Sequence, residues 1–349
     1  MKIAICGDIH ISKTSSIIRT RGEKYSTRIE NCIKSIEWFE QVAKEKGCER
    51  EVFLGDTFDK PQLDDEILTA IKDIEWNNLL KYFIVGNHES SVNGLAYNSV
   101  KALECKEDVH NNFRTIVAQP DCVFLPNENV QLHFLPYVIE SDRKPLTEYF
   151  EFDKKYKHII FSHNDIKGIQ MGPVVSKTGF DIKEIEDNCD LFINGHLHNG
   201  EKVTDKIINL GILTGQNFGE NALRYKHNIM ILDTETLQYE YIENPYAFKF
   251  YSLEIDNPKL LDLIDTTESN AVVSIKCSTD LVNDVKEKLS TKDNILTYKI
   301  TTIANSLSTT KVDRVEDFTM NHLEKFVQCV KEKIGTNNII DFELNEVIK

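Results

Sequence analysis

Two stacked β-sheets with helices on their outer faces, an α/β architecture in four layers, is the fold class this sequence predicts. Three observations carry it. Residues 1–85 alternate strand and helix patterns in the order β-α-β-α-β, the signature of an α/β domain. Residues 114–242 then become strand-rich, with short apolar runs separated by turn signals. Finally, five apolar strands end in polar residues of the kinds that bind metals or phosphates. Strand ends facing one crevice are where open α/β sheets build sites.

Ile3-Ala4-Ile5-Cys6-Gly7-Asp8-Ile9-His10 reads as a buried strand followed by a functional turn. The loop 11–28 is the clearest basic stretch, with Lys13, Arg19, Arg21, Lys24 and Arg28 against a single acid, Glu23. Its position after Asp8-x-His10 makes these five residues the expected contacts to a phosphate backbone. Ile29, Cys32, Ile33, Ile36, Phe39, Val42 and Ala43 recur at helical spacing, and Gly47 ends that helix. A strand over 51–54 follows. A second helix, about Asp64 to Leu80, buries Ile67, Leu68, Ile71 and Ile74 and leads to a strand over 82–85.

Short strands are expected at 114–117, 121–125 and 130–138, with helical matter around 142–155 and strands at 157–162 and 190–194. The stretches 206–210, 227–233 and 237–242 read as β-strands. Asn244-Pro245 marks a boundary, dividing the chain into a domain at 1–245, a small α+β capping domain at 246–305, and a linker with a helical tail at 306–349. In the capping domain, strands are expected at 248–255, 271–277 and 295–303 and a helix at 281–289. In the tail, Leu323, Phe326, Val327, Val330 and Ile334 lie on one helical face, a surface expected to dock a partner.

The chemistry centres on Phe192-Ile193-Asn194-Gly195-His196-Leu197-His198, an apolar run that opens into a histidine pair. Histidines two apart on a strand share a face for packing reasons alone. The pair gains meaning because Asp8 and His10, Asp56, Asn87 and His163 stand at the ends of four other apolar runs. Mixed oxygen and imidazole donors suit divalent first-row metals such as manganese, iron or zinc. Seven donors exceed one tetrahedral zinc but fit two ions sharing a bridging carboxylate. Two metals about 3.5–4 Å apart can clamp both the attacking and the leaving oxygens of a phosphoryl displacement.

Asp8-x-His10, Gly55-Asp56-x-x-Asp59, Gly86-Asn87-His88-Glu89, His163 and Gly195-His196-x-His198 resemble, in order, the complete motif set of the calcineurin-like metallophosphoesterases. The resemblance implies a four-layer αββα sandwich. It also implies one metal on Asp8, His10, Asp56 and His198, and a second on Asp56, Asn87, His163 and His196, with Asp56 bridging. His88 would face the phosphate and protonate the leaving oxygen, and Asp59 would orient His88. Within the superfamily the chain resembles the SbcD-type nucleases, and among these the small subunit of phage recombination endonucleases. Leu132-His133-Phe134-Leu135-Pro136-Tyr137, Ser162 to Gly168 and the segment from Leu210-Gly211 to Glu220 carry that finer likeness. Many cellular SbcD-like enzymes have His where this chain has Asp59.

The resemblance implies a DNA nuclease, exonuclease and endonuclease, that hydrolyses phosphodiesters with two divalent ions, manganese foremost and magnesium, iron or zinc otherwise. It implies work in recombination or repair with an SbcC-like, SMC-type ATPase, as a homodimer within a heterotetramer. The rival is a phosphomonoesterase or Ser/Thr protein phosphatase of the same superfamily. Those enzymes usually carry Arg after the second and third motifs, where Lys60-Pro61 and Ser90-Ser91 stand here.

Composition adds exclusions. No apolar run is long enough to span a bilayer. Met1-Lys2 leads straight into a strand, so no signal peptide is expected. The eight cysteines form no Cys-x-x-Cys pair, which argues against a zinc knuckle and suits a reducing cytoplasm, the host's if the chain is phage-encoded. A net charge of −15 is the wrong sign for a simple nucleic-acid binder, so attraction to DNA must come from a local patch, bound cations or a partner. His110, His133, His158, His227 and His322 match no metal motif, and Lys167, Lys177, Arg224, Tyr225 and Lys226 are able to touch backbone phosphates but one by one read as solvated surface.

Overall fold

In the computed structural model the described residues are 1–13, 22–91, 94–104, 114–171, 174–264, 270–293 and 295–303. Arg19, Arg21, the linker and the expected tail helix lie outside them. The chain order is β1 (Lys2–Cys6), α1 (Thr27–Glu45), β2 (Arg50–Phe53), α2 (Asp65–Ala70), β3 (Leu80–Ile84), β4 (Ser90–Ser91), β5 (Gly94–Asn98), β6 (Arg114–Val117), β7 (Asp121–Leu125) and β8 (Val130–Leu135). Then come α3 (Leu146–Tyr149), β9 (Lys157–Ser162), β10 (Gln170–Met171), β11 (Val174–Val175), α4 (Ile182–Asn188), β12 (Leu191–Asn194), β13 (Glu201–Lys202), β14 (Ile207–Asn209), β15 (Asn228–Asp233) and β16 (Tyr239–Glu243). The described chain closes with β17 (Lys249–Ile255), β18 (Ala271–Ser278), α5 (Val282–Ser290) and β19 (Ile295–Ile303).

Two six-stranded mixed sheets form the framework, in the orders β16-β15-β1-β2-β3-β6 and β13-β14-β12-β9-β8-β7. Alternation along β1 shows how they stack. Ile3 and Ile5 join a core with Val130, Leu132, Ile159 and Ile193 of the other sheet, whereas Ala4 and Cys6 face Ile29, Ile36 and Phe39 of α1. On the outer face of the second sheet, Ile160, Phe192 and Ile207 pack against Leu146 of α3 and Ile185 of α4. The layers therefore run helix, sheet, sheet, helix. α1 starts at Ser26, whose side chain accepts a hydrogen bond from the Ile29 amide.

The central strands of both sheets are parallel and level. Cys6 pairs with Phe53, and Asn194 with Ser162, so their C-terminal ends open at one edge. A third, three-stranded parallel sheet, β17-β18-β19, has its own apolar core, where Val285 and Leu289 of α5 cover Val273 and Ile275. It belongs to the same compact unit, Met1–Ile303.

Two helical expectations need correction, and one helix goes unannounced in the sequence. The helix expected to run to Leu80 ends at Ala70, because Asn77 diverts the chain. Its side-chain amide donates to the Glu40 carbonyl and the Glu51 carboxylate, and its Oδ1 accepts from the Leu79 amide and Lys81 Nζ. Around 142–155 only Leu146–Tyr149 is α-helical. Pro145 precedes it, Phe150 is extended, and Asp153 turns the chain through the Lys155 amide. α4, capped by Asp181, lies in a stretch where seven residues are too few for a helical period to declare itself.

Candidate active site

Every candidate ligand follows the C-terminal end of a parallel strand: Asp8 and His10 after β1, Asp56 after β2, Asn87 after β3, His163 after β9, and His196 and His198 after β12. The turns are tied to one another. The amides of Ile9 and His10 both donate to the Asp56 carbonyl, at 3.0 and 2.9 Å. His10, Asp56 and His196 have φ of 51°, 46° and 73°. Such left-handed backbone costs a side-chain-bearing residue about 1–3 kcal/mol and gathers at functional sites. Gly86 and Gly195 are required by close approach. A Cβ would lie 2.1 Å from Asp56 Oδ1 at the first and 2.7 Å from Asp8 Oδ1 at the second.

The structure brings all seven side chains together. His10 Nε2 is 3.0 Å from His198 Nε2 and 3.7 Å from Asp56 Oδ2, and His198 Nε2 is 3.8 Å from Asp8 Oδ2. Beside this group, Asn87 Oδ1 lies 3.1 Å from His163 Nε2 and 3.0 Å from His196 Nδ1, and Asp56 Oδ2 is 3.2 Å from His163 Nε2. Asp56 thus touches both groups. Asp8, His10, Asp56 and His163 are fully or almost fully buried.

The outward-facing ring nitrogens make the pattern specific. His198 Nδ1 meets Glu220 Oε1 at 2.7 Å, His163 Nδ1 the Leu54 carbonyl at 2.7 Å, and His196 Nε2 Asp165 Oδ1 at 3.1 Å. His10 Nδ1 lies 3.3 Å from Asp59 Oδ1. His163, His196 and His198 therefore each have a hydrogen-bond acceptor at one nitrogen, which fixes the N–H there, His10 Nδ1 has only the nearby Asp59 carboxylate, and the other nitrogen of each ring turns into the cluster. That is how metal-ligating histidines are held. Asp8 Oδ2, buried in the centre, has no hydrogen-bond partner among the described residues. A donor set with inward lone pairs and an orphaned buried carboxylate oxygen fits cations.

The electrostatics agree. Burial works against the charged forms of Asp56 and His163, yet the imidazoles of His163, His10 and His88 hold the Asp56 carboxyl well below the usual range. Conversely, Asp56 and Asp8 overcome burial to raise His163 to about 9. The cavity is built to hold positive charge. Glu89, fully buried, is pushed up to about 8 by burial and then by the charge of Asp56. Its oxygens accept from the amides of Phe58 and Gly86, at 3.0 and 2.8 Å, bracing the two loops that carry Asp56 and Asn87.

A family model for calcineurin-like phosphoesterases matches residues 1–200, more than half of the chain and all seven donors. The chain belongs to the calcineurin-like phosphoesterases. It is thereby a metal-dependent phosphoester hydrolase, of a family that typically binds two divalent ions. Among solved structures it is similar to TT1561 of Thermus thermophilus, at 13% identity and a TM-score of 0.39, covering 69% of this chain and 98% of that one. No curated protein matches this phosphoesterase significantly.

His88 sits over the donor group. Its amide bonds Asp56 Oδ1 at 3.0 Å, its ring is 4.8 Å from that of His10, and 44% of its side chain is exposed. The expected carboxylate bond from Asp59 is corrected. His88 Nδ1 meets the Asp59 carbonyl at 3.2 Å, while the carboxylate is 3.8 Å from His88 and closer to His10.

The basic loop also differs from expectation. Arg28 is buried, and its guanidinium bonds the carbonyls of Ile9, Thr214 and Gly215 and the Thr214 hydroxyl. It bolts the Asp8–His10 turn to the 214–215 loop and cannot contact DNA. Lys13 pairs with Asp64 and Glu66, and Lys24 with Asp73. Asp165 and Glu220, which orient His196 and His198, were not singled out from the sequence. Glu220 lies 22 residues beyond its histidine, and no spacing rule links them.

Proposed function

We propose that this phosphoesterase is a two-metal-dependent DNA nuclease, with exonuclease and endonuclease action, working with an SbcC-like ATPase in recombination or repair. The observation that carries the reading is the donor set itself, two groups sharing Asp56 beneath an exposed His88. Asp8, His10, Asp56 and His198 would hold one ion, and Asp56, Asn87, His163 and His196 the other. When bound, two such ions activate a water nucleophile and neutralise charge that develops on the transferred phosphoryl group. The remaining work falls to the protein. His88, with Nδ1 set against the Asp59 carbonyl, presents Nε2 to the substrate and can give a proton to the leaving oxygen. Asp165, Glu220 and the Leu54 carbonyl hold His196, His198 and His163 in their tautomers, and Asp59 sets a negative charge 3.3 Å from His10 Nδ1.

A diester rather than a monoester is favoured by the residues that follow the second and third motifs. Lys60 and Ser90 stand where phosphatases of this superfamily usually carry phosphate-binding arginines. Among the described residues, the polar contacts made by the side chains of Asp8, Asp56 and Asn87 are with imidazoles and backbone, with no arginine or lysine. The test is hydrolysis by chelator-stripped protein resupplied with manganese, on duplex DNA, single-stranded DNA and p-nitrophenyl phosphate. Faster turnover of the monoester than of either DNA would overturn the reading. For the partner, a chain ending near Ser306 should keep single-strand cleavage and fail to copurify with the ATPase. Undiminished copurification would place the docking surface elsewhere.

A further inference from the structure

Next to the donor cluster lies a cavity of about 460 Å³, within the roughly 300–1,000 Å³ of small-ligand sites. His196 and His198 form one wall, and Gln170, Arg224 and Tyr225 stand around the rest. Arg224 is the cavity's one cationic side chain, and Glu201 its one acid. Arg224 is exposed, and among the described residues no carboxylate lies within ion-pair distance of it. The neighbouring lysines behave differently: Lys202 pairs with Asp205 at 2.7 Å, Lys226 with Glu243 at 2.5 Å, and Lys249 with Glu243 at 3.1 Å. Arg224 thus brings to the cavity wall a positive charge that no carboxylate among the described residues offsets.

The loop that carries Arg224 is fastened at several points. Glu220, the acceptor for His198 Nδ1, also takes the amide of Gln216 at 2.6 Å and the Asn217 side chain at 2.9 Å. The Ala222 amide bonds the Phe250 carbonyl of β17 at 2.7 Å. Phe218 packs edge-on against Phe250 at 5.1 Å, and Lys299 of β19 lies 4.5 Å over the Phe218 ring. The Arg224 amide itself bonds the Asn221 carbonyl at 2.8 Å. The three-stranded sheet thus fixes the loop, and the loop sets an arginine and a tyrosine beside the metal-binding histidines. A guanidinium suits a phosphate, an aromatic ring suits a base, and such pairs recur where proteins hold single-stranded nucleic acid.

We propose that this cavity is the subsite for the nucleotide flanking the scissile phosphate on a single strand. Arg224 holds the adjacent backbone phosphate and Tyr225 stacks on the base. The proposal rests on the nuclease reading and adds a location and two residues to it.

The test compares a single-stranded DNA oligonucleotide with bis(p-nitrophenyl) phosphate, a diester that has no flanking nucleotide, using the full chain with manganese. Arg224→Ala should raise KM for the oligonucleotide at least tenfold more than KM for the small diester. Anisotropy of a labelled oligonucleotide with calcium in place of manganese should show the salt slope reduced by about 0.7, the loss of one single-strand phosphate contact. Tyr225→Ala should weaken oligonucleotide binding about 5- to 100-fold, with Tyr225→Phe close to wild type. If the wild type cleaves the oligonucleotide and Arg224→Ala binds and cleaves it equally well, the subsite is overturned and the nuclease reading stands. Equal losses on both substrates would put Arg224 at the scissile phosphate and overturn the flanking position. A wild type that hydrolyses only the small ester would overturn both.

Discussion

Replacing Glu220 by glutamine is the sharpest test of how the candidate metal centre is organised. Glu220 is buried, 1% exposed, and both its oxygens have partners. Oε1 accepts from His198 Nδ1 at 2.7 Å and Asn217 Nδ2 at 2.9 Å, and Oε2 accepts from the Gln216 amide at 2.6 Å. In the Glu220→Gln variant one oxygen becomes an NH2 group, and either orientation sets a donor against a donor. His198 also loses the negative charge that raises its basicity. Losing such a partner typically weakens metal affinity about 10- to 100-fold, or about 1.4–2.8 kcal/mol. Calorimetric titration of the chelator-stripped protein with manganese should show one of two binding events weakened by that factor. The other, on the His163, Asn87 and His196 side, should change by no more than about twofold, since metal-partner effects of this kind are local. Asp165→Asn should reverse the pattern, because Asp165 meets His196. Equal weakening of both events by Glu220→Gln, in a protein with an unchanged melt, would refute the assignment of two separately buttressed groups.

Further outcomes follow from the same geometry. Asp56→Asn should weaken both binding events and abolish turnover in a folded protein, since the Asp56 carboxylate lies against His10 of one group and His163 of the other; full manganese-dependent activity would refute this. His88→Ala should keep both metals by calorimetry while turnover falls about 10²- to 10⁴-fold, and metal loss would make His88 a ligand. Asp59→Asn should act through metal affinity on the His10 side rather than through His88, checked by the same titration. Buried His133 titrates at about 4, lowered by burial and then by His158, against 6.5 in the unfolded chain, so the unfolded state takes up the proton first and stability declines as pH falls from 6.5 toward 4. His133→Phe should remove about 2–3 kcal/mol of the stability lost between pH 7.5 and 4.5, read by urea melts; an unchanged loss would show that another group governs it. Chelation should weaken oligonucleotide binding and calcium should restore it, measured by anisotropy; equal binding in both would place the attraction outside the metal centre.

The parts of this fold that were legible in sequence are those where short-range pattern meets an unambiguous residue type. Strands 114–117, 121–125 and 157–162 carry apolar runs bounded by turns, and the structure has strands at those residues. Asp8, Asn87 and His198 could be read because each follows an apolar strand, and parallel strands deliver their ends to one edge. Helices were less legible. Ile67, Ile71 and Ile74 are buried at helical spacing, yet the helix stops at Ala70 because Asn77 finds better partners in Glu40 and Glu51. What could not be read is which charges face inward. Arg28 sits in a basic run and looks solvated, but it is sealed against five oxygens of distant segments. Asp165 and Glu220 look like surface acids until the fold brings them to histidines 31 and 22 residues away.

These inward-facing acids bear on how a chain of net charge −15 could hold a polyanion. Asp8, Asp56, Asp59, Asp165 and Glu220 surround the four imidazoles, and among the described residues the guanidinium within ion-pair distance of these acids is that of Arg143, 3.8 Å from Asp165. Without cations such a cluster repels phosphate. At the described positions the basic loop offers no remedy, since Lys13 and Lys24 are neutralised by carboxylates and Arg28 is buried. Two divalent ions would reverse the sign at the one place where the scissile phosphate must sit. With a nucleic acid as substrate, as proposed, electrostatic attraction then depends on the same ions as the chemistry. A phosphate contact beside the metals, such as Arg224 could make, would extend that local field by one residue along the strand, while the acidic remainder of the surface would keep non-specific binding weak.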